Sequence, residues 1–428
     1  MRDDPLPDDL GVPVTARILA GNGAERVATP SDLRRLKVLF ATMGMGIGTL
    51  MPYMVLYLTW RGLSPTQTGL VLAMMAGVGV LAVPIWGLIA DHTLGTVTAL
   101  RTSCLLAAVA SLSLLLAGES VPAILVSAAI LAAARAPGEP FANALAIGTL
   151  HQEANRVYGH IRLWASIGFA VAVAVSALVL EHMSLAIVLL VYPAAMLVQV
   201  ASTGAHQWPS APQGPLLRMS ELRSTTKSGL VLLHAGALAF GIAMGASSTA
   251  LPLRLTDVGG GVAAVGAAAV IGALAEIPFM RASGVLRQWF GAGNVILLGG
   301  LIFATSLVCF AIFAEPVPLV SVSVLRGAGY GLVYVGLVTA VSSHLPLKRL
   351  ATGQALLQAN LMGLGPLLGS SIGGFTYEHA SPAVLFGASA MASIVGAAIA
   401  RAAAAHRVDN ADIGEAPDAQ TGPPNSLG

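Results

Sequence analysis

The chain has 428 residues, of which 56% are hydrophobic and 10% charged, and its formal net charge is +2. A water-soluble domain carries roughly 25% charged residues, so water is not the main solvent here, and so small a net charge with scattered cations excludes a nucleic-acid partner. No Gly-x-x-x-x-Gly-Lys-Ser/Thr phosphate loop and no His-Glu-x-x-His pair occurs. An ATP-driven pump and an embedded metalloenzyme are therefore set aside, and no cofactor or metal is called for.

Residues 1–35, with Asp3, Asp4, Asp8, Asp9 and several prolines, read as a cytoplasmic tail without the apolar core of a cleaved export signal. Apolar runs then follow near 36–59, 67–90, 97–117, 121–150, 161–180 and 184–201, and again near 229–252, 262–280, 294–314, 317–343, 353–375 and 382–400. About 20 apolar residues carry a helix across hydrocarbon, and the alternation of a β-barrel strand is absent. The expected fold is an all-α integral membrane protein of twelve transmembrane helices. They form two pseudo-symmetric six-helix bundles, 36–201 and 229–400, around a central cavity. The proline-rich stretch 202–228 reads as a cytoplasmic linker and 401–428 as a disordered cytoplasmic tail.

With both termini inside the cytoplasmic (inner) membrane, 18 of the 22 lysines and arginines fall on the inner side, where such residues are retained. Arg61 and Arg254 lie outside, and Arg135 and Arg326 lie within helices. Pro84 and Pro278 stand 194 positions apart, as do Gly159 and Gly353. Repeated halves of this size are a transporter trait, because two bundles can rock about a central site. Cys104 and Cys309 fall in apolar runs and read as packing residues.

Ionisable groups inside a membrane are costly and mark functional sites. Arg135 and Glu139 are four residues apart on the fourth helix, hence on one face, and Asn143 extends that face. This predicts an Arg135–Glu139 ion pair, with Glu139 carrying a proton and Arg135 and Asn143 meeting substrate. Glu276 on the eighth helix is the second candidate proton carrier. Arg326, with Tyr330 one turn on, holds the place in the second half that Arg135 has in the first. Tyr53, Gln358 and Asn360 complete the expected substrate-binding set.

Gly87-Leu-Ile-Ala-Asp91 resembles the loop motif of the major facilitator superfamily, with His92 where that motif has arginine. Pro140-Phe-Ala-Asn-Ala-Leu-Ala and Tyr158-Gly-His-Ile-Arg162-Leu-Trp are similar to its proton-symporter branch, which includes lactose permease, phenylpropionate permease and nucleoside/proton symporters. Gly363-Leu-Gly-Pro366 resembles the superfamily's antiporter motif, displaced here to the eleventh helix. Gly87, Asp91, Arg162 and Pro366 are thus expected to gate or brace the molecule. The resemblance implies a monomeric secondary active transporter in the lipid bilayer. It would move a small polar or amphipathic organic solute with protons by alternating access. A proton-driven efflux antiporter of the same fold is the alternative, and a channel or non-transporting receptor the rival from another class.

Overall fold

The structure, a computed structural model, describes residues 29–150, 154–204, 208, 228–345 and 347–405. The expectations for the two tails and for most of the linker concern residues outside these. Every element among the described residues is helical, as it must be where backbone groups find partners only within their own segment. Counting a helix that continues through a 3-10 or π turn as one, we label α1 Pro30–Trp60, α2 Pro65–Leu94, α3 Thr96–Leu116 and α4 Val121–Leu150. Then come α5 Ala154–Leu180, α6 Ile187–Ser202, α7 Ser228–Asp257, α8 Gly261–Phe290, α9 Ala292–Ile312, α10 Pro316–His344, α11 347–379 and α12 Pro382–Ala405. Ten of these are long and apolar enough to cross a membrane. The other two are α6, apolar but 16 residues long, and α11, whose first stretch contains Lys348, Arg349, Gln354 and Gln358.

Local chemistry sets the boundaries. Thr29 caps α1 through a reciprocal box with Asp32, and Ser64 caps α2 in the same way with Gln67; a proline follows each, where its missing N–H is harmless. The α2–α3 and α8–α9 connections shrink to one glycine each, Gly95 at φ 72° and Gly291 at φ 80°, a left-handed turn that other residues resist. Several helices outrun the apolar stretches that predict them. α1 starts at Pro30 rather than 36, α5 at Ala154 rather than 161, α8 continues to Phe290 rather than 280, and α11 covers 347–379 rather than 353–375. Apolar runs mark what sits in hydrocarbon, whereas arginine and lysine are good helix formers that need not end a helix. α4 is interrupted where its prolines, Pro137 and Pro140, lead one to expect it. It breaks after Arg135 and restarts at Gly138, because Pro137 lacks an N–H and crowds the preceding turn.

α1 packs on α5 and α6, α3 on α4 and α6, and α2 on α4; α7 packs on α11 and α12, α9 on α10 and α12, and α8 on α10. The second set is the first with six added to each label. Between the sets, α2 meets α11 and α5 meets α8. The tightest seams repeat too. A methyl group at Gly44 would strike the Ala165 carbonyl of α5, and one at Gly241 would strike the backbone of α11. Small residues allow this approach where lipid supplies no hydrophobic drive between helices.

We call the end at which α6 stops and α7 starts the linker side, and the opposite end the far side. On the far side Gly69 of α2 lies against Gly374 of α11, and Gly266 of α8 lies against the Tyr53 hydroxyl and Ala177. Gly87 and Gly284 stand 18 residues further along α2 and α8, five whole turns and therefore on the same faces. A side chain at either would meet nothing within 4 Å among the described residues. The two seams are thus closed on the far side.

Candidate substrate cavity

Polar groups from six helices come together where the two sets meet. Glu139 on α4 and Arg162 on α5 form an ion pair, Oε1 to Nη1 2.8 Å, with side chains 46% and 38% exposed. Opposite them, Glu276 on α8 lies within electrostatic reach of Arg326 on α10 and of Arg162. It makes no ion pair within 4.0 Å among the described residues. Arg326 donates from Nη2 to the Ser248 hydroxyl of α7 at 2.8 Å, while its Nε is buried without a hydrogen-bond partner among the described residues. Tyr330 and Tyr334 stack one turn apart on α10 with ring centroids separated by 5.8 Å. Gln358 of α11 donates from Nε2 to the Tyr334 hydroxyl at 2.6 Å. Tyr330 in turn lies within electrostatic reach of Glu276, Arg162 and Glu139.

Two carboxylates and two guanidinium groups cancel in charge. What they can do is hold a polar solute by several hydrogen bonds while one member changes protonation. Charge-assisted bonds of this kind are the stronger class.

The predicted Arg135–Glu139 pair is replaced by Glu139–Arg162. An i, i+4 pairing presumes an unbroken helix, and the break before Gly138 removes that register; Arg135 lies against Tyr192 of α6 instead. Arg162, expected near the cytoplasmic end to gate or brace the molecule, makes the pair with Glu139 from a position eight residues past the start of α5, which begins seven residues earlier than its apolar run. Tyr53 is fully buried and donates its hydroxyl to the Val173 carbonyl at 2.7 Å, so it joins α1 to α5 rather than facing the cavity. Asn360 is also buried, its Nδ2 3.4 Å from His234 Nδ1 on α7. Asn143 is half-buried one turn after Glu139. Gly87 and the exposed Asp91 stand at the linker-side end of α2, and Pro366 packs against Gly245 of α7. Ser248 escaped sequence reading; the polar triplet Ser247-Ser248-Thr249 in the middle of an apolar run was the available signal.

Two repeated sets of apolar helices, with acids and arginines gathered where the sets meet, mark a multi-pass membrane protein. The MFS_1 like family model matches residues 33–388. The maltose permease of Geobacillus stearothermophilus is 30% identical over 339 residues, 78% of this chain and 84% of that protein. The uncharacterized transporter YwbF of Bacillus subtilis (strain 168) is 27% identical over 354 residues, 81% and 87% of the two chains. Among solved structures, the nucleoside transporter NupG superposes with a TM-score of 0.72 at 17% identity, covering 87% of this chain and 99% of that one. The peptide transporter POT, as a mutant in complex with sulfate, gives 0.70 at 14% identity over 88% and 94%. The chain therefore belongs to the MFS_1 like family of the major facilitator superfamily, and it acts on a small-molecule substrate as a carrier rather than an enzyme.

Proposed function

We propose that this carrier takes up a small uncharged solute rich in hydroxyl groups, of which a sugar is the best-matched form, together with protons. The observation that carries this reading is the shared position of Arg162 between two carboxylates. Glu139 belongs to its own helix set and is bonded to it; Glu276 belongs to the other set and is not. Rocking that closes the linker side draws α5 and α8 together there, carrying Arg162 toward Glu276. An ionised Glu276 would then compete with substrate for Arg162, and a protonated one would not. Each state differs in its interactions, as a conformational cycle requires.

Support for a neutral, hydroxyl-bearing substrate comes from the cancelling charges, from the donors and acceptors of Ser248, Tyr334 and Gln358, and from the stacked Tyr330 and Tyr334 faces. The relation to a maltose permease points the same way. We further propose that α6 and α11 also cross the membrane, making twelve spans in bundles 36–201 and 229–400. The protein would work as a monomer in the inner membrane, with both termini and the linker cytoplasmic, as the arginine and lysine distribution demands.

The test is uptake into proteoliposomes. Glu276→Gln should keep counterflow exchange of radiolabelled maltose and lose accumulation driven by a pH gradient. Unchanged pH-driven accumulation in that variant would overturn the assignment and pass the proton to Glu139.

A further inference from the structure

The far-side end of the α2–α11 seam holds a contact that the cavity does not use. Glu378 stands at the end of α11, past its apolar stretch, in one helix set; the start of α2 belongs to the other. Glu378 Oε2 accepts from the Ser64 hydroxyl at 2.7 Å and from the Thr66 N–H at 2.8 Å. That N–H is one of the donors a helix start leaves without an internal partner. The Ser64 oxygen also serves the Gln67 N–H at 3.3 Å. A carboxylate here meets both unfilled donors and the positive end of the helix dipole. Beneath it, Gly374 lies against Pro65 and Gly69, backbone to backbone. Tyr377, on the same turn, donates to the Asp257 carboxylate of α7, which fixes this turn within its own set.

We propose that Glu378 is a latch: clamped on Ser64 and the Thr66 N–H, it holds the far side shut while the linker side is open, and it must release before the far side opens. The inference rests on the alternating-access reading. Hydrogen bonds from Thr66 and Ser64 hold the Glu378 carboxyl down at about 2. The charged groups nearby are His379 on its own helix and, beside Tyr377, Asp257 and Arg254 of α7. The first turn of α2 offers no charge. The latch therefore stays ionised at any pH the cell presents, and substrate or membrane forces rather than protons must open it.

The experiment measures distances by electron–electron resonance on the full chain in nanodiscs, with Cys104 and Cys309 replaced. Labels at Ser120 and Ala383 read the far side; labels at His92 and Gln288 read the linker side. Glu378→Ala should shift the far-side population toward long distances by roughly tenfold, the worth of one charge-assisted hydrogen bond, while linker-side distances shorten. Thr66→Pro removes one donated N–H at a first-turn position that tolerates proline, and should act in the same direction by less. If Glu378→Ala does not fold, Thr66→Pro and Ser64→Ala decide. Unchanged distributions, or lengthening at both ends together, would overturn the latch. Because no substrate is needed, shifted distances without pH-driven maltose uptake would keep the latch and sink only the proposed substrate and coupling.

Discussion

The α4–α5 wall of the cavity and the α8–α10 wall each carry one acid and one arginine, and they wire them differently. On the first wall Glu139 and Arg162 are bonded at 2.8 Å, so the pair is neutral before any solute arrives. On the second, Arg326 gives a donor to Ser248, and Glu276 has no ion-pair partner among the described residues. A closed pair suits substrate binding, since its donors and acceptors are already aimed and stay satisfied by each other when the site is empty. An acid left without a direct partner suits coupling, since its charge must be answered by something that comes and goes. Residue identity alone gives the two acids the same role; under the proposed function, their wiring separates them.

The sharpest way to break this contrast is Arg162→Gln. It should weaken substrate binding by roughly 10- to 100-fold, about 1.5–3 kcal/mol for a lost hydrogen bond to a charged group, measured by equilibrium dialysis with radiolabelled maltose. The ion pair is more than a third exposed, so its loss should change thermal stability by under about 1 kcal/mol. Equal loss of binding and folding would mean that the first wall is structural.

Ser248→Ala frees Nη2 of Arg326, which can then turn to Glu276. Uptake should keep its maximal rate while the pH dependence flattens, and affinity should fall by roughly fivefold, about 1 kcal/mol. An unaltered pH profile would show that the Arg326–Ser248 bond does not keep Glu276 available. Tyr334→Phe removes the acceptor of Gln358 and should cost about as much in affinity, with no change in pH profile; a changed profile would draw the tyrosines into coupling. Tyr53→Phe is the smallest expected effect. Substrate affinity should be unaltered and stability lowered by about 1 kcal/mol, read as a modest fall in melting temperature, because its hydroxyl serves Val173 and not the cavity.

Helical class and repetition were legible because hydrocarbon imposes a length and a composition that few other constraints blur. Glu139, Glu276, Arg326, Tyr330 and Gln358 could be singled out for the same reason: polar groups in apolar runs stand out. Their partners could not be read so easily. Arg135 and Arg162 exchanged places because one break in α4 cancels helical register, and because the start of α5 lies outside its apolar run. Tyr53 and Asn360 looked available in a one-dimensional pattern, but helix packing turned them onto Val173 and His234. The α2–α11 contact at Glu378 joins residues more than three hundred positions apart, beyond any local pattern.

α11 passes through a π turn, Ala359–Leu364, between Gln358 and Gly365. Such a turn holds more residues than an α turn, and everything downstream owes its angular setting to that surplus. Removing a single residue there would leave hydropathy and composition almost untouched, yet it would rotate 365–379 by about 100° relative to Gln358. Gly365, Gly369 and Gly373 would swing off α7, and Gly374 off α2. The turn therefore works as a phase setting, sensitive to the number of residues more than to their kind. A codon-by-codon scan should find one-residue deletions between 359 and 364 intolerable, even where alanine at the same positions is accepted.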